Sequence, residues 1–129
     1  MSKIIKVESE MAPKVLGPYS QAVIAGDYIF CSGQIAINPK DNKLIIGGIK
    51  EQTIRVLENL KAILIHADTD LDKVIKTEIY LKNISDFQIV NKVYSEYFKT
   101  EPLPARVTVE VSNLPKEALI EISCFAYKK

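Results

Sequence analysis

Two stretches near the C-terminal end of the chain carry the residues best suited to chemistry, an arginine and a glutamate. Arg106 lies within residues 104–111 and Glu121 within residues 118–124, and both stretches alternate between apolar and other side chains as strands do. Residues 113–117 between them have the composition of a turn. The pattern therefore predicts a β-hairpin whose apolar rows face a core, with Arg106 and Glu121 together on the other face.

Two interpretations of this pair remain open. The first is a cross-strand ion pair on a wet surface, worth roughly 0.2–1 kcal/mol. The second is an anion clamp beside a carboxylate base. The chain has 17 basic residues, yet only Arg55 and Arg106 are arginines. Because a planar guanidinium can hold a carboxylate by two parallel hydrogen bonds, the use of arginine at position 106 favours the clamp.

Composition restricts the class of protein. A length of 129 residues predicts one domain, 1–129, and 47% apolar with 26% charged residues is typical of a soluble globular chain. The net charge is +1 and no dense basic run occurs, so nucleic acid is not an expected partner. No apolar run approaches the roughly 20 residues that span a bilayer, and the first ten residues lack the apolar core of a signal peptide.

The cysteines and the histidine also carry information. Cys31 and Cys124 lie inside apolar strand patterns, which predicts buried free thiols and fits a reducing cytoplasm. His66 is the one histidine. Without clustered histidines or cysteines around it, no transition-metal site is predicted.

The elements that must position Arg106 and Glu121 follow from periodicity. Strand patterns occur at 4–7, 19–25, 28–32 and 74–81, helical spacing of apolar residues runs from 49 to 66, and Ser85 or Asp86 can cap a second helix with an aromatic stripe. These elements predict an α+β fold, a single mixed or antiparallel sheet with two helices packed on one face.

The strands pose a further problem for such a fold. Tyr28 and Phe30 lie opposite Ile29 and Cys31 on the same strand, so apolar residues occur on both sheet faces. Two helices cover one face only, and we expect another subunit on the second. The face that carries Arg106 and Glu121 would then become a cleft between subunits rather than a wet surface.

Short motifs throughout the chain resemble one known family. They include Gly17-Pro18-Tyr19-Ser20-Gln21-Ala22, Cys31-Ser32-Gly33-Gln34 with Asn38-Pro39, Glu51-Gln52-Thr53 through Leu60, Val90-Asn91 through Tyr94, Pro104-Ala105-Arg106, Leu114-Pro115 and Ile120-Glu121-Ile122. In this order and at these spacings, the chain resembles the YjgF/RidA (UK114-like) reactive intermediate deaminases from end to end.

The resemblance implies a fold and an activity. Members of that family have a chorismate mutase-like fold and form homotrimers around a central barrel, with small carboxylic acids bound in clefts between subunits. The deaminase members hydrolyse 2-imino acids such as 2-iminobutanoate and 2-iminopropanoate to 2-keto acids and ammonia, without a cofactor.

The resemblance also assigns residues. Arg106 matches the arginine that grips the substrate carboxylate, and Glu121 matches the acidic residue that activates water. It places further residues at the site, namely Tyr19 as a catalytic pocket tyrosine with Ser32, Gly33, Asn91 and Thr108 as substrate-binding residues. Ser123 departs from the family, because an acidic residue often stands there.

Two other functions remain open on the sequence. A non-catalytic module that binds or senses 2-keto acids would use the same Arg106 clamp. RNA cleavage or inhibition of translation is an activity attributed to some relatives. It fits poorly with a chain of near-neutral charge, which attracts a phosphate backbone only weakly.

Overall fold

The computed structural model of the chain describes residues 3–128, in which two helices cover one face of a mixed six-stranded sheet. This agrees with the α+β arrangement predicted from the sequence. The strands and helices are β1 (Ile4–Val7), β2 (Ala22–Ala25), β3 (Tyr28–Gln34), β4 (Ile37–Asn38), β5 (Lys43–Leu44), α1 (Ile49–His66), β6 (Val74–Leu81), α2 (Phe87–Tyr97), β7 (Ala105–Glu110) and β8 (Ile120–Tyr127).

The main sheet has the strand order β1-β2-β3-β8-β6-β7, and β4 with β5 forms a separate two-stranded ribbon. All neighbours in the main sheet are antiparallel except β6 and β7, which are parallel. The predicted hairpin of β7 and β8 is therefore wrong, since β6 lies between them. A parallel pair needs a crossover connection, and α2 supplies it.

Helix α1 begins and ends at the residues that periodicity predicts. The Glu51 carboxylate accepts a hydrogen bond from the Gly48 amide at 2.9 Å, which satisfies one free donor at the start of the helix. One side of the helix is fully buried, including Val56, Leu60 and Ile63. This apolar side packs on β3 and β8 and forms the centre of the core.

Helix α2 lies beside α1 and follows the predicted stripe only in part. Val90, Tyr94 and Phe98 are buried as expected, whereas Phe87 remains 37% exposed. Phe87 begins the helix close to the edge strand β7, where it contacts a charged side chain rather than the core.

The second face of the sheet is not covered by any described element of the chain. Phe30, Val107 and Val109 on this open face are each 40–41% exposed, although the sequence pattern placed Val107 and Val109 against the core. The prediction failed because their Cα partners in β6, Glu78 and Tyr80, belong to the open face. A monomer that exposes such a surface has a face suited to another protein chain.

Two buried amide side chains fix the loops around the sheet. Gln21 accepts from the Ser9 amide at 2.7 Å and donates to the Pro13 carbonyl at 2.9 Å. Gln52 accepts from the Leu119 amide at 2.9 Å, immediately before β8 begins. These bonds satisfy loop backbone that would otherwise be buried without partners, and they hold the loops at one end of the sheet.

The two cysteines are buried and free, as predicted. They face one another directly across β3 and β8. A hydrogen bond with Cys31, together with burial, raises the pKa of the Cys124 thiol well above its ordinary value. Within residues 3–128, neither helix has the length and apolar character needed to cross a membrane.

Candidate active site

Arg106 lies on the helix-covered face of the sheet, near its edge. Its Cα partner in β6 is the fully buried Thr77, so the two side chains leave the sheet on the same side. The guanidinium carbon of Arg106 is 5.0 Å from the centre of the Tyr94 ring and 5.3 Å from that of Phe87. Aromatic faces attract a cation, so α2 holds the arginine in place without neutralising its charge.

Two polar atoms beside Arg106 are buried without a hydrogen-bond partner, Oγ1 of Thr108 and Oδ1 of Asn91. Thr108 follows Arg106 by two residues and points to the same side of β7, and Asn91 lies between Phe87 and Tyr94 along α2. Buried polar groups are nearly always paired, so unpaired ones call for an explanation. A ligand at the guanidinium would supply the missing partners.

We call these five residues the Arg106 cluster, namely Arg106, Thr108, Asn91, Phe87 and Tyr94. The ion pairs within residues 3–128 join Lys6 to Glu8 and Lys76 to Glu78, so Arg106 has no carboxylate partner among these residues. The guanidinium is therefore free to take an anion from outside the chain.

Glu121 lies on the opposite, open face. Its Cα partner is Tyr80 of β6, and its carboxylate rests against Gly33 of β3. A Cβ added at Gly33 would come within 2.8 Å of the Glu121 carboxyl carbon, so the close approach requires glycine. Burial raises the pKa of the Glu121 carboxyl, which makes it a better proton acceptor than an ordinary surface glutamate.

Gly33 and Ser32 occupy an irregularity in the pairing of β3 with β8, where the register shifts between Cys31 and Gln34. The Ser32 hydroxyl donates to the Ser20 carbonyl at 2.6 Å. This bond ties the bulge to the turn that carries Tyr19 and occupies the one hydroxyl hydrogen. A bulge of this kind commonly re-aims side chains next to a site.

Tyr19 lies in the turn before β2 and is 55% exposed. Its ring packs over Gly17, where an added Cβ would lie 3.2 Å from a ring carbon. Tyr19 and Gly33 line the same cavity. We call Tyr19, Ser32, Gly33 and Glu121 the Glu121 cluster.

The prediction that Arg106 and Glu121 share one sheet face is wrong. The seven predicted site residues form two groups instead, with Arg106, Thr108 and Asn91 on the helix-covered side. The other four lie at the Glu121 cluster. The sheet therefore separates the two groups.

Sequence reasoning assigned Phe87 and Tyr94 to the core and missed their contact with Arg106. The signal that could have revealed it is Asn91, a polar residue in the middle of an otherwise apolar stripe. An amide at such a position indicates that the stripe faces something other than a dry core.

Ser123 occupies a position that is often acidic in the family that the chain resembles. The negative charge near this position comes instead from Glu78 on β6. The Ser123 hydroxyl donates to Glu78 at 3.1 Å, and Lys76 lies 3.7 Å from the same carboxylate. The open face therefore keeps an acidic group beside Ser123 although position 123 itself is neutral.

Comparison with known proteins gives consistent matches over nearly the whole chain. The family model described as Endoribonuclease L-PSP matches residues 9–128. A RutC family protein of Pyrococcus abyssi is 54% identical over 121 residues, covering 94% of either chain. The chloroplastic Reactive Intermediate Deaminase A of Arabidopsis thaliana is 42% identical over 120 residues, covering 93% of this chain and 64% of that protein.

A solved structure shares the fold. The crystal structure of TdcF from E. coli, determined with bound serine, has a TM-score of 0.90 and 32% sequence identity, and the match covers 96% of this chain and 98% of that one. The fold and the sequence thus point to the same family as the motifs do.

Proposed function

This chain belongs to the Endoribonuclease L-PSP family, which includes the RutC, UK114 and RidA proteins, and from that membership we propose that it hydrolyses 2-imino acids to 2-keto acids and ammonia. The proposed substrates are 2-iminobutanoate and 2-iminopropanoate. A relative named for the deamination of reactive intermediates supports the reaction, and the serine bound to TdcF supports a small ligand with a carboxylate.

The proposal rests on the Arg106 cluster and the Glu121 cluster, each of which holds only part of what the reaction needs. Arg106 has no carboxylate partner in the part of the chain that the structure describes, and Glu121 lies across the sheet with a raised pKa. In the proposed homotrimer, the open faces pack toward one another and the edge strand β7 of one copy meets the neighbouring copy, so that Arg106 at this edge lies beside Glu121 of that neighbour. The exposed apolar residues of the open face supply a reason for the copies to associate.

The proposed reaction begins with recognition of the carboxylate. The Arg106 guanidinium takes both carboxylate oxygens in a two-point contact, and the Thr108 hydroxyl donates a further hydrogen bond. Oδ1 of Asn91, which is buried and unpaired among the described residues, accepts a hydrogen bond from an N–H of the substrate. Since Phe87 and Tyr94 already hold the guanidinium, little side-chain freedom is lost when the substrate binds.

Hydrolysis then needs one water molecule and one base. Glu121 accepts a proton while the water oxygen bonds to the imine carbon and the C=N π electrons move to nitrogen. The same carboxyl returns this proton to nitrogen, which gives a carbinolamine. Glu121 then accepts the carbinolamine hydroxyl proton and passes it to the amino nitrogen, the C=O bond forms as the C–N bond breaks, and neutral ammonia leaves. A raised pKa suits a group that both accepts and returns a proton, and the scheme uses no cofactor.

The test is an assay of keto-acid or ammonia release from imines generated in situ by an amino-acid dehydratase or an amino-acid oxidase. The protein should accelerate release above the spontaneous rate. Arg106→Ala should abolish binding of the substrate carboxylate, whereas Glu121→Gln should slow turnover and leave 2-keto acid binding largely intact. A rate equal to spontaneous hydrolysis would overturn the proposal.

The first alternative is a module that binds 2-keto acids and catalyses no reaction. It uses the same Arg106 cluster, and its binding survives the loss of Glu121. The Glu121 carboxylate pressed against Gly33 favours the enzyme, because a binding module has no use for a partly buried base.

The second alternative is RNA cleavage, favoured by the description of the matching family model. A net charge of +1 supplies little attraction for a phosphate backbone. RNase activity that persists at the same level in purified Arg106→Ala protein would indicate a contaminant, whereas tight, salt-dependent RNA binding would favour this alternative.

A further inference from the structure

A cavity of about 180 Å³ opens beside the Glu121 cluster. Its lining includes Lys14, Tyr19, Gly33, Asn42 and Lys116. Gly33 lines the cavity and also contacts the Glu121 carboxylate. The proposed reaction uses Tyr19 and Gly33 but gives no role to the rest of this cavity.

The charged residues that line the cavity are both lysines, Lys14 and Lys116. Neither takes part in the ion pairs found within residues 3–128. Exposed lysines usually do no more than interact with water. These two differ because they converge on one concave site that no described acidic side chain lines, so their charges add there.

The backbone holds both lysines at the cavity. Lys116 has a φ of +56°, as does Glu117, and non-glycine residues adopt this left-handed conformation only under constraint. The constraint is a tight turn in which Glu117 donates to the Leu114 carbonyl at 3.2 Å and Ala118 donates to the Pro115 carbonyl at 3.1 Å. Strained backbone of this kind clusters at ligand sites.

The position of Lys14 is fixed from the other side of the cavity. Its backbone amide donates to Oδ1 of Asn42 at 3.1 Å, and Asn42 itself has a φ of +59°. Both cationic residues are therefore attached to defined loops rather than to disordered ends. The points from which the two side chains extend are thus fixed at the rim of the cavity.

We infer that this cavity is a second anion subsite and that Lys14 and Lys116 make the protein select 2-imino acids with a second, terminal carboxylate. The inference rests on the proposed function. With its imine carbon at Glu121, a substrate extends its side chain past Gly33 into the cavity, where the two ammonium groups receive the carboxylate. The substrate class is the short dicarboxylic 2-imino acids of four or five carbons.

Two substrates of equal chain length test the inference. L-Glutamate oxidase generates 2-iminoglutarate from L-glutamate, and an L-amino-acid oxidase generates 2-iminopentanoate from L-norvaline. We expect Lys14→Gln and Lys116→Gln each to lower kcat/KM for 2-iminoglutarate by about five- to tenfold, and to change kcat/KM for 2-iminopentanoate less than about twofold. Lys116→Arg keeps the charge and should keep the preference.

Lys50→Gln is the matched control, since Lys50 is exposed on α1 and does not line the cavity. It should alter neither substrate. Equal losses for both substrates in the cavity variants, or no loss for either, would overturn the inference while leaving the deaminase itself established.

A binding measurement separates this inference from the proposed function. If no imine is turned over, titration calorimetry with 2-oxoglutarate and 2-oxopentanoate replaces the assay. Weaker binding of 2-oxoglutarate alone in the Lys14→Gln/Lys116→Gln double variant would support the subsite although the enzyme proposal had failed. Unchanged Kd values for both acids would overturn the subsite as well.

Discussion

The absence of a Cβ at Gly33 determines where the Glu121 carboxylate can lie. The Glu121 carboxylate occupies the space where any other residue would place its Cβ. Gly33→Ala should therefore displace the carboxylate and lower kcat roughly 10–100-fold, since small misplacements of catalytic groups are costly. The atoms that an added Cβ would meet belong to the end of a flexible side chain that can move aside, so the free energy of unfolding should change little.

Steady-state kinetics and urea unfolding check this prediction. Gly48→Ala is the control, because an added Cβ there meets its nearest neighbour at an ordinary 3.6 Å. It should keep wild-type kcat. A Gly33→Ala protein with unchanged kcat would mean that the position of the Glu121 carboxylate does not govern turnover.

The raised pKa of Glu121 makes a prediction about pH. Burial raises this pKa above its ordinary value of 4.5, so the folded protein holds the proton more tightly than the unfolded chain does. Ionisation of Glu121 therefore opposes folding, and its cost appears as the pH rises from about 4.5 through the folded pKa. Glu121→Gln removes this cost.

Melting temperatures at pH 4 and pH 7 measure the effect at a fixed protein concentration. The Glu121→Gln variant should gain stability relative to wild type as the pH rises between these values. In wild type, kcat/KM should fall on the acidic side with an apparent pKa above 4.5. A variant that becomes relatively less stable toward pH 7 would contradict the assignment.

At the scale of elements, one buried hydrogen bond joins β6 to α2. The hydroxyls of Thr77 and Tyr94 are 2.7 Å apart, and the Tyr94 ring also faces Arg106. Tyr94→Phe keeps the ring but leaves the buried Thr77 hydroxyl unpaired, which should cost about 1–3 kcal/mol of unfolding free energy. Tyr94→Leu should in addition raise KM, because the cation–π contact is lost.

A double-mutant cycle with Thr77→Val tests this link. The double variant Thr77→Val/Tyr94→Phe should lose less stability than the sum of the single changes. Tyr97→Phe is the control on the same helix, since its hydroxyl donates to Glu58 of α1 at 2.7 Å, and it should leave KM unchanged. Strict additivity would mean that the two hydroxyls do not depend on each other.

The elements also show how far a sequence of this kind can be interpreted. The bounds of α1 and β6 match the prediction, because each has one unbroken periodicity between clear breaks. The pairing of β7 with β8 could not be obtained this way. Alternation identifies which residues of a strand share a face, but it does not identify the neighbouring strand.

The connection through α2 was the signal against a hairpin. A strand, a helix and a strand in succession favour a parallel pair with a crossover, and here β6, α2 and β7 form that unit. Family resemblance predicted the site residues, but it did not predict their division between two faces of the sheet. The rule that apolar side chains point inward fails on β7, where Arg106 and Thr108 face the helices.

At the scale of the whole molecule, the separation of the clusters predicts complementation between inactive variants. Arg106→Ala lacks one cluster and Glu121→Gln lacks the other. If each site takes its two clusters from different copies, trimers reassembled from an equal mixture should regain about a quarter of wild-type activity, because one site in four receives both intact halves.

The mixture is made by unfolding and refolding the two variants together, and each variant refolded alone is the control. Light scattering confirms the size of the assembly. A mixture as inactive as its components would show that both clusters must come from one chain, and the proposed composite site would then be wrong.

If the proposed composite site is correct, the sheet that divides Arg106 from Glu121 also makes turnover depend on protein abundance. A freshly translated chain holds both halves of the proposed site and can use neither, so hydrolysis begins only after copies meet. Specific activity should consequently decline when the protein is diluted below the dissociation constant of the assembly, with a lag on reconcentration. Progress curves recorded across a dilution series would reveal this threshold, whereas a self-sufficient chain would lose no activity at any concentration.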